Sequence, residues 1–132
     1  MDKLDKLTRE QMVAEFGETG VQNPAVIDLI TVDKPSDTVI LVMRESRPWG
    51  GSSAQTELQL KQIEEKVNRY MGYVLDGFLA QHYPQYIGKS VQIRLDCAEE
   101  PHGEAVRFVE AVTDAIEGHG LHFGVSVLRP FS

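Results

Sequence analysis

Between a turn at Lys34-Pro35-Ser36-Asp37 and a loop, the chain reads Thr38-Val39-Ile40-Leu41-Val42-Met43-Arg44, with five apolar residues in succession. A strand points successive side chains to opposite faces, so such a run demands cover on both and belongs inside a sheet rather than at its edge. Residues 25–33, rich in Val, Ile and Leu, precede the turn and pair with this run as a β-hairpin. If Ile27 and Leu29 face the core, Asp28 faces the other way, where it is either solvated or paired.

Arg47-Pro48-Trp49-Gly50-Gly51-Ser52-Ser53 is loop composition, and Ser52 with Gln55 forms a capping box that starts a long helix. Leu60, Ile63, Val67, Tyr70, Met71, Val74 and Phe78 step by three and four along one face, while Glu57/Lys61 and Glu65/Arg69 sit a turn apart on the wet side. Unbroken to His82, this helix would approach ~40 Å, so Gly77 is expected to cap or kink it. Tyr83-Pro84 ends it.

Ser90 to Asp96 alternates, with Val91, Ile93 and Leu95 inward. A further helix after Pro101 carries Ala105, Phe108, Val109, Val112 and Ile116 on one side and stops at Gly118 and Gly120. The last strand spans 121–128, with Phe123, Val125 and Val127 on one face. At the other end, Thr8 and Gln11 have the form of a capping box, Leu7 and Met12 of its staple, and Met12, Val13 and Phe16 of a small apolar helix face that Gly17 and Gly20 terminate.

The expected architecture is α+β: an N-terminal helix, then ββαβαβ, forming a four-stranded sheet with two long helices packed on one face. It is one domain, residues 1–132, with an N-terminal helical extension over 1–22 and a core over 23–130. Val26, Ile30, Ile40 and Val42 are assigned to the opposite sheet face. They are too many to leave wet, so the N-terminal helix or a second copy should cover them, which favours a homodimer.

Thirteen Lys and Arg against twenty Asp and Glu leave a net charge of −7, which repels phosphate backbones and disfavours nucleic acid while suiting a basic protein partner. The first six residues are charged where a signal peptide needs an apolar run, and no window approaches the ~20 apolar residues of a membrane span. With the single Cys97, the expectation is a cytoplasmic protein without membrane contact.

The opening Asn23-Pro24-Ala25-Val26-Ile27-Asp28, Trp49 after the hairpin, Tyr70 near the end of the long helix and Tyr83-Pro84 before the third strand resemble a family of small bacterial proteins known only as a domain of unknown function. The resemblance implies the ββαβαβ core and no activity. Where the family carries acidic residues after the Trp, this chain has Gly50-Gly51-Ser52-Ser53.

Several groups of residues invite a chemical reading. Gly50 and Gly51 at a helix start could cradle an anion, with Arg47 and Trp49 holding a ligand, but there is no P-loop lysine, and simple capping outweighs this. Trp49 is either a lid on the core or an anchor for a partner, the lid being favoured. Cys97 and His102, near Asp96, Glu99 and Glu100, could form a nucleophile and base, yet the neighbouring acids raise a thiol pKa, and Cys97 reads better as a small hydrophobe. His119 and His122, with His82 and His102 elsewhere, lack the spacing of a metal site. Asp28 and Asp33 are an odd number of positions apart on a strand and face opposite ways.

No catalytic residue, metal or cofactor is therefore called for. A non-enzymatic protein acting through protein contacts is the leading reading. An immunity-type or antitoxin-type inhibitor of a basic partner is the alternative, and a small-molecule-binding protein or enzyme with a site near Trp49 the second; Arg47, Trp49, Gly50 and Gly51 are the candidate contacts for a partner or ligand.

Overall fold

The computed structural model describes residues 20–24 and 26–128. The N-terminal helix expected from Thr8, Gln11, Met12, Val13 and Phe16 lies outside the described residues. Four strands, β1 (Leu29–Asp33), β2 (Thr38–Glu45), β3 (Ser90–Cys97) and β4 (His122–Val127), form one mixed sheet in the order β1-β2-β3-β4. Between them lie helices α1 (Ser53–Leu75), α2 (Phe78–His82) and α3 (Glu104–Glu117), with a 3₁₀ turn at Pro84–Tyr86. The β1–β2 hairpin is antiparallel, and β2–β3 and β3–β4 are parallel pairs joined by helical crossovers.

Each element has a local cause. The hairpin turn closes because Asp33 accepts from the amide and hydroxyl of Ser36 and Asp37 takes a left-handed conformation, φ 52°, which Asp tolerates better than most residues. The Ser52 side chain accepts from the Gln55 amide while the Gln55 side chain accepts from Ser52, the reciprocal cap expected from the sequence. Gly77, at φ 88°, breaks the long helix after Leu75 so that it restarts as α2, since a left-handed residue ends one helix and glycine adopts it without a Cβ clash.

The alternation of β2 sends Val39, Leu41 and Met43 to the helical side, where they pack with Val91, Ile93 and Leu95 of β3, Ile63, Val67 and Tyr70 of α1, and Val112 and Ile116 of α3. Full burial of each such large side chain is worth about 1.5–3 kcal/mol, so this layer dominates stability. As expected, both long helices cover one face.

The opposite face differs from the sequence reading. Ile30 stands opposite Leu41 in register and packs on the helical core, not behind the sheet. Ile40 and Val42 do lie behind it, but they are 6% and 2% exposed, and Val26 is 3% exposed. Their register partners on β3 are Gln92 and Arg94, the latter bound to Asp96 through both oxygens at 2.7 and 3.3 Å. On this face β3 presents polar groups, while the apolar residues of β2 are covered. The first strand is also shorter than expected: it begins at Leu29, itself half exposed, because Asp28 is drawn into contacts that a strand residue could not make.

Candidate functional site

A sheet whose order follows the sequence is wound in one direction, so its two parallel crossovers never diverge to leave a crevice at a switch point. One concavity of about 440 Å³ lies on the back of the sheet, lined by Asp33, Ser36, Thr38, Ile40, Gln92, Arg94 and His122, and another comes from the loops beyond the carboxyl ends of β2 and β3, which hold the residues singled out in the sequence. These loops interlock. The Trp49 indole donates to the Glu99 carbonyl at 2.9 Å, and the amide of Ala98 donates to the Glu45 carbonyl at 3.0 Å. Gly50 is held at φ 80°, and a Cβ there would lie 2.8 Å from Cε1 of His102. Glycine at 50 thus answers both a backbone conformation and a ring seated against it.

The four candidate contact residues lie together. Arg47, Trp49, Gly50 and Gly51 line a groove of about 480 Å³, with Pro48, Gln55, Leu58 and Gln59 completing it. Gln59 is buried on α1 and donates to the Pro48 carbonyl at 3.3 Å, while Leu58 is 53% exposed. The anion cradle suggested by the sequence is not assembled in charge terms. Arg47 grips the buried Glu45 carboxylate with Nε and Nη2 at 2.8 and 2.7 Å, so its cation is already neutralised. Trp49 is 6% exposed and forms the lid of the core at this end, its N–H satisfied by Glu99.

Cys97 is fully buried, and burial first, then the Glu45 and Asp96 charges, push its thiol up to about 12. At neutral pH it stays a thiol and cannot act as the nucleophile. His119 sits in the turn after α3 and His122 on β4, while the His82 ring shares a 2.9 Å hydrogen bond with the Tyr73 hydroxyl. Among the described residues, no three His, Cys, Asp or Glu side chains come together as a metal would require.

Sequence reasoning missed a second polar cluster. The Lys66 ammonium on α1 is wholly buried and donates to the carbonyls of Gly20 and Asn23 at 2.5 and 3.0 Å and to Asp28 Oδ1 at 2.7 Å. Three donors meet three acceptors. Asp28 also accepts from the amides of Gly20 and Arg44, both at 2.8 Å. Tyr70 accepts from the Asp28 amide and donates to the Val42 carbonyl. Burial lowers the Lys66 pKa, with Asp28 opposing it, and burial raises that of Tyr70. Lys, Asp and Tyr together would suggest catalysis in an open cleft, but here the groups are closed off and satisfied, and they tie residues 20–28 to α1. The signal was present in the sequence: Lys66 falls three residues after Ile63 and four before Tyr70, on the apolar stripe itself.

Next to the groove, the charge is one-sided. Residues 99–117 carry Glu99, Glu100, Glu104, Glu110, Asp114 and Glu117, all exposed, against Arg107 alone. Five of the chain's seven net negative charges thus lie in this stretch, which begins where Trp49 and His102 lock the two loops together.

The chain matches neither a curated protein nor a solved structure. Residues 19–129 match a family of unknown function, DUF6572, and with that match covering the hairpin, both crossovers and the groove, the chain belongs to this family.

Proposed function

We propose that this is a non-enzymatic protein that works by binding another, basic, protein through the acidic stretch 99–117 and the groove beside it. The concentration of exposed carboxylates on the outer face of α3 and the loop before it carries the reading. Long-range attraction to a cationic surface speeds encounter and selects against acidic partners. The groove supplies what charge lacks: Pro48 and the half-exposed Leu58 offer an apolar seat over the buried Trp49, with Gly50 and Gly51 leaving backbone accessible at its rim. An inhibitor of the immunity or antitoxin kind would use such a surface, and the buried thiol of Cys97 suits action in the reducing cytoplasm.

The test compares wild type with Glu110→Lys/Asp114→Lys/Glu117→Lys as immobilised baits for the same cell extract. Wild type should retain proteins of net positive charge that elute as salt is raised to about 0.5 M, where screening shortens to a few ångströms, and the reversed variant should not. Equal retention by both overturns the reading.

Self-association is a second reading with its own surface. Leu75, Phe78 and Ile87 are 49%, 47% and 66% exposed at the far end of α1 and the turns after it, an apolar patch of the kind that marks contacts. A homodimer through this patch would lose mass in light scattering on Phe78→Ser/Ile87→Ser; an unchanged mass removes it.

A further inference from the structure

We infer that the concavity on the back of the sheet binds a short uncharged saccharide, at a site independent of the reading given for the acidic stretch. The pairing of the strands lays out its floor. Ile40 on β2 stands in register with Gln92 on β3, and Gln92 with His122 on β4, so these side chains form one row on the face away from the core. The hairpin raises one wall. Asp33, paired with Thr38, accepts from the Ser36 hydroxyl, which lies 3.0 Å from the Thr38 hydroxyl. Arg94, one row on and in register with Gly124, stands at the other side. The volume of about 440 Å³ falls within the range of small-molecule sites. From β1 to β4 the sheet crosses three strand spacings, roughly 14 Å in all, which suits a sugar of two or three rings.

The lining is polar but offers no free cation. Arg94 gives Nε and Nη2 to Asp96 at 2.7 and 3.3 Å, which neutralises it and leaves Nη1 to donate. Asp33 is the lining carboxylate, and it repels an anionic ligand. Among the described residues the Gln92 amide and the His122 ring have no hydrogen-bond partner. Side by side, they present donors and acceptors together. A sugar hydroxyl also donates and accepts, so a row of amide, imidazole, hydroxyl and guanidinium groups matches a polyol. A nucleobase would want an aromatic face to stack on, and the imidazole is the one ring in the lining. Gly124 belongs to the same arrangement. Glycine inside a strand marks a close approach, and here a Cβ would lie 2.5 Å from Nε2 of Gln92. The bare backbone of β4 lets that amide lean across, in reach of a ligand above Ile40.

The probes are maltose, cellobiose and diacetylchitobiose, with cellobiouronic acid as the same frame carrying a carboxylate. Each is titrated at millimolar concentration into the full chain and followed by amide NMR. At least one neutral sugar should give saturable shifts centred on Thr38, Gln92, Arg94 and His122, with the acid binding about tenfold more weakly. Gln92→Ala should weaken binding about fivefold. Gly124→Ala should do the same, because it displaces the amide without removing any lining group; Gln92→Ala carries the test if Gly124→Ala loses the native spectrum. Glu110→Lys/Asp114→Lys/Glu117→Lys should bind the sugar as wild type does, so a failed acidic-surface reading leaves this site standing. Lack of saturable shifts with all three neutral sugars overturns the inference, as do shifts centred elsewhere or unaffected by Gln92→Ala. Equal binding of the acid overturns the uncharged class.

Discussion

Two regions handle charge in opposite ways. Midway along α1, Lys66 and its partner Asp28 are 0% and 1% exposed in their side chains, and the three ammonium protons are matched by three acceptors. On α3, Glu110, Asp114 and Glu117 stand in solvent with Arg107 as their one cationic neighbour on the helix. A buried ion pair is tolerated only when its hydrogen bonds are complete, so the first cluster has no capacity left for a ligand. Exposed like charges cost stability and gain nothing within the monomer, which makes the second the place to look for a role outside it.

The sharpest way to break this contrast is Lys66→Ala. It should lower stability by about 3–5 kcal/mol in urea unfolding, because it strands the Asp28 carboxylate in the interior. Lys66→Met/Asp28→Asn should recover much of that loss, and a failure to do so would give the ammonium a task beyond matching Asp28. Next in size is Gly50→Ala, which must strain a left-handed backbone and displace His102. A loss of about 1–3 kcal/mol is expected, and a neutral result would show that the two loops yield independently.

A smaller effect is a pH dependence from the interior. The Cys97 thiol is raised from its ordinary 9.0 to about 12 in the folded chain, so between those values the unfolded chain has lost a proton that the folded one keeps. Stability should therefore fall as pH rises through that window, and Cys97→Ala should fall less steeply, by up to about 1.4 kcal/mol per pH unit. Smallest is Glu110→Lys/Asp114→Lys/Glu117→Lys, whose unfolding free energy should change by no more than about 0.5 kcal/mol per site. If this variant were strongly destabilised, the acidic face would be structural and the contrast between the two regions would collapse.

Much of the fold was legible because its signals are local. The Ser52–Gln55 cap, the break at Gly77 and the alternation of Val91, Ile93 and Leu95 all depend on a few neighbouring residues. Ile30 was misplaced because the strand was read from Ala25, and Asp28 leaves strand geometry to reach Gly20, Arg44 and Lys66, partners scattered from 8 to 38 positions away. Arg47 was legible as a candidate but not as a cation already held by Glu45, since Glu45 looks like the solvated end of a strand and is 1% exposed. The acidic balance was read as a total. That it gathers on one helix follows from which residues of α3 face outward, and its meeting with the groove follows from Trp49 reaching Glu99, a pairing 50 positions apart.

The strand order also bears on how the chain is made. Because β1, β2, β3 and β4 lie side by side in the order of synthesis, each strand leaving the ribosome finds the edge it needs already in place, and no finished pair must be prised open to admit a latecomer. The hairpin closes across a short turn, whereas β3 must wait for all of α1 and pair over a separation of roughly fifty residues, the slow entropic step. Until α3 and β4 emerge, the apolar flank of β3 is the surface a nascent chain would have to keep from its neighbours.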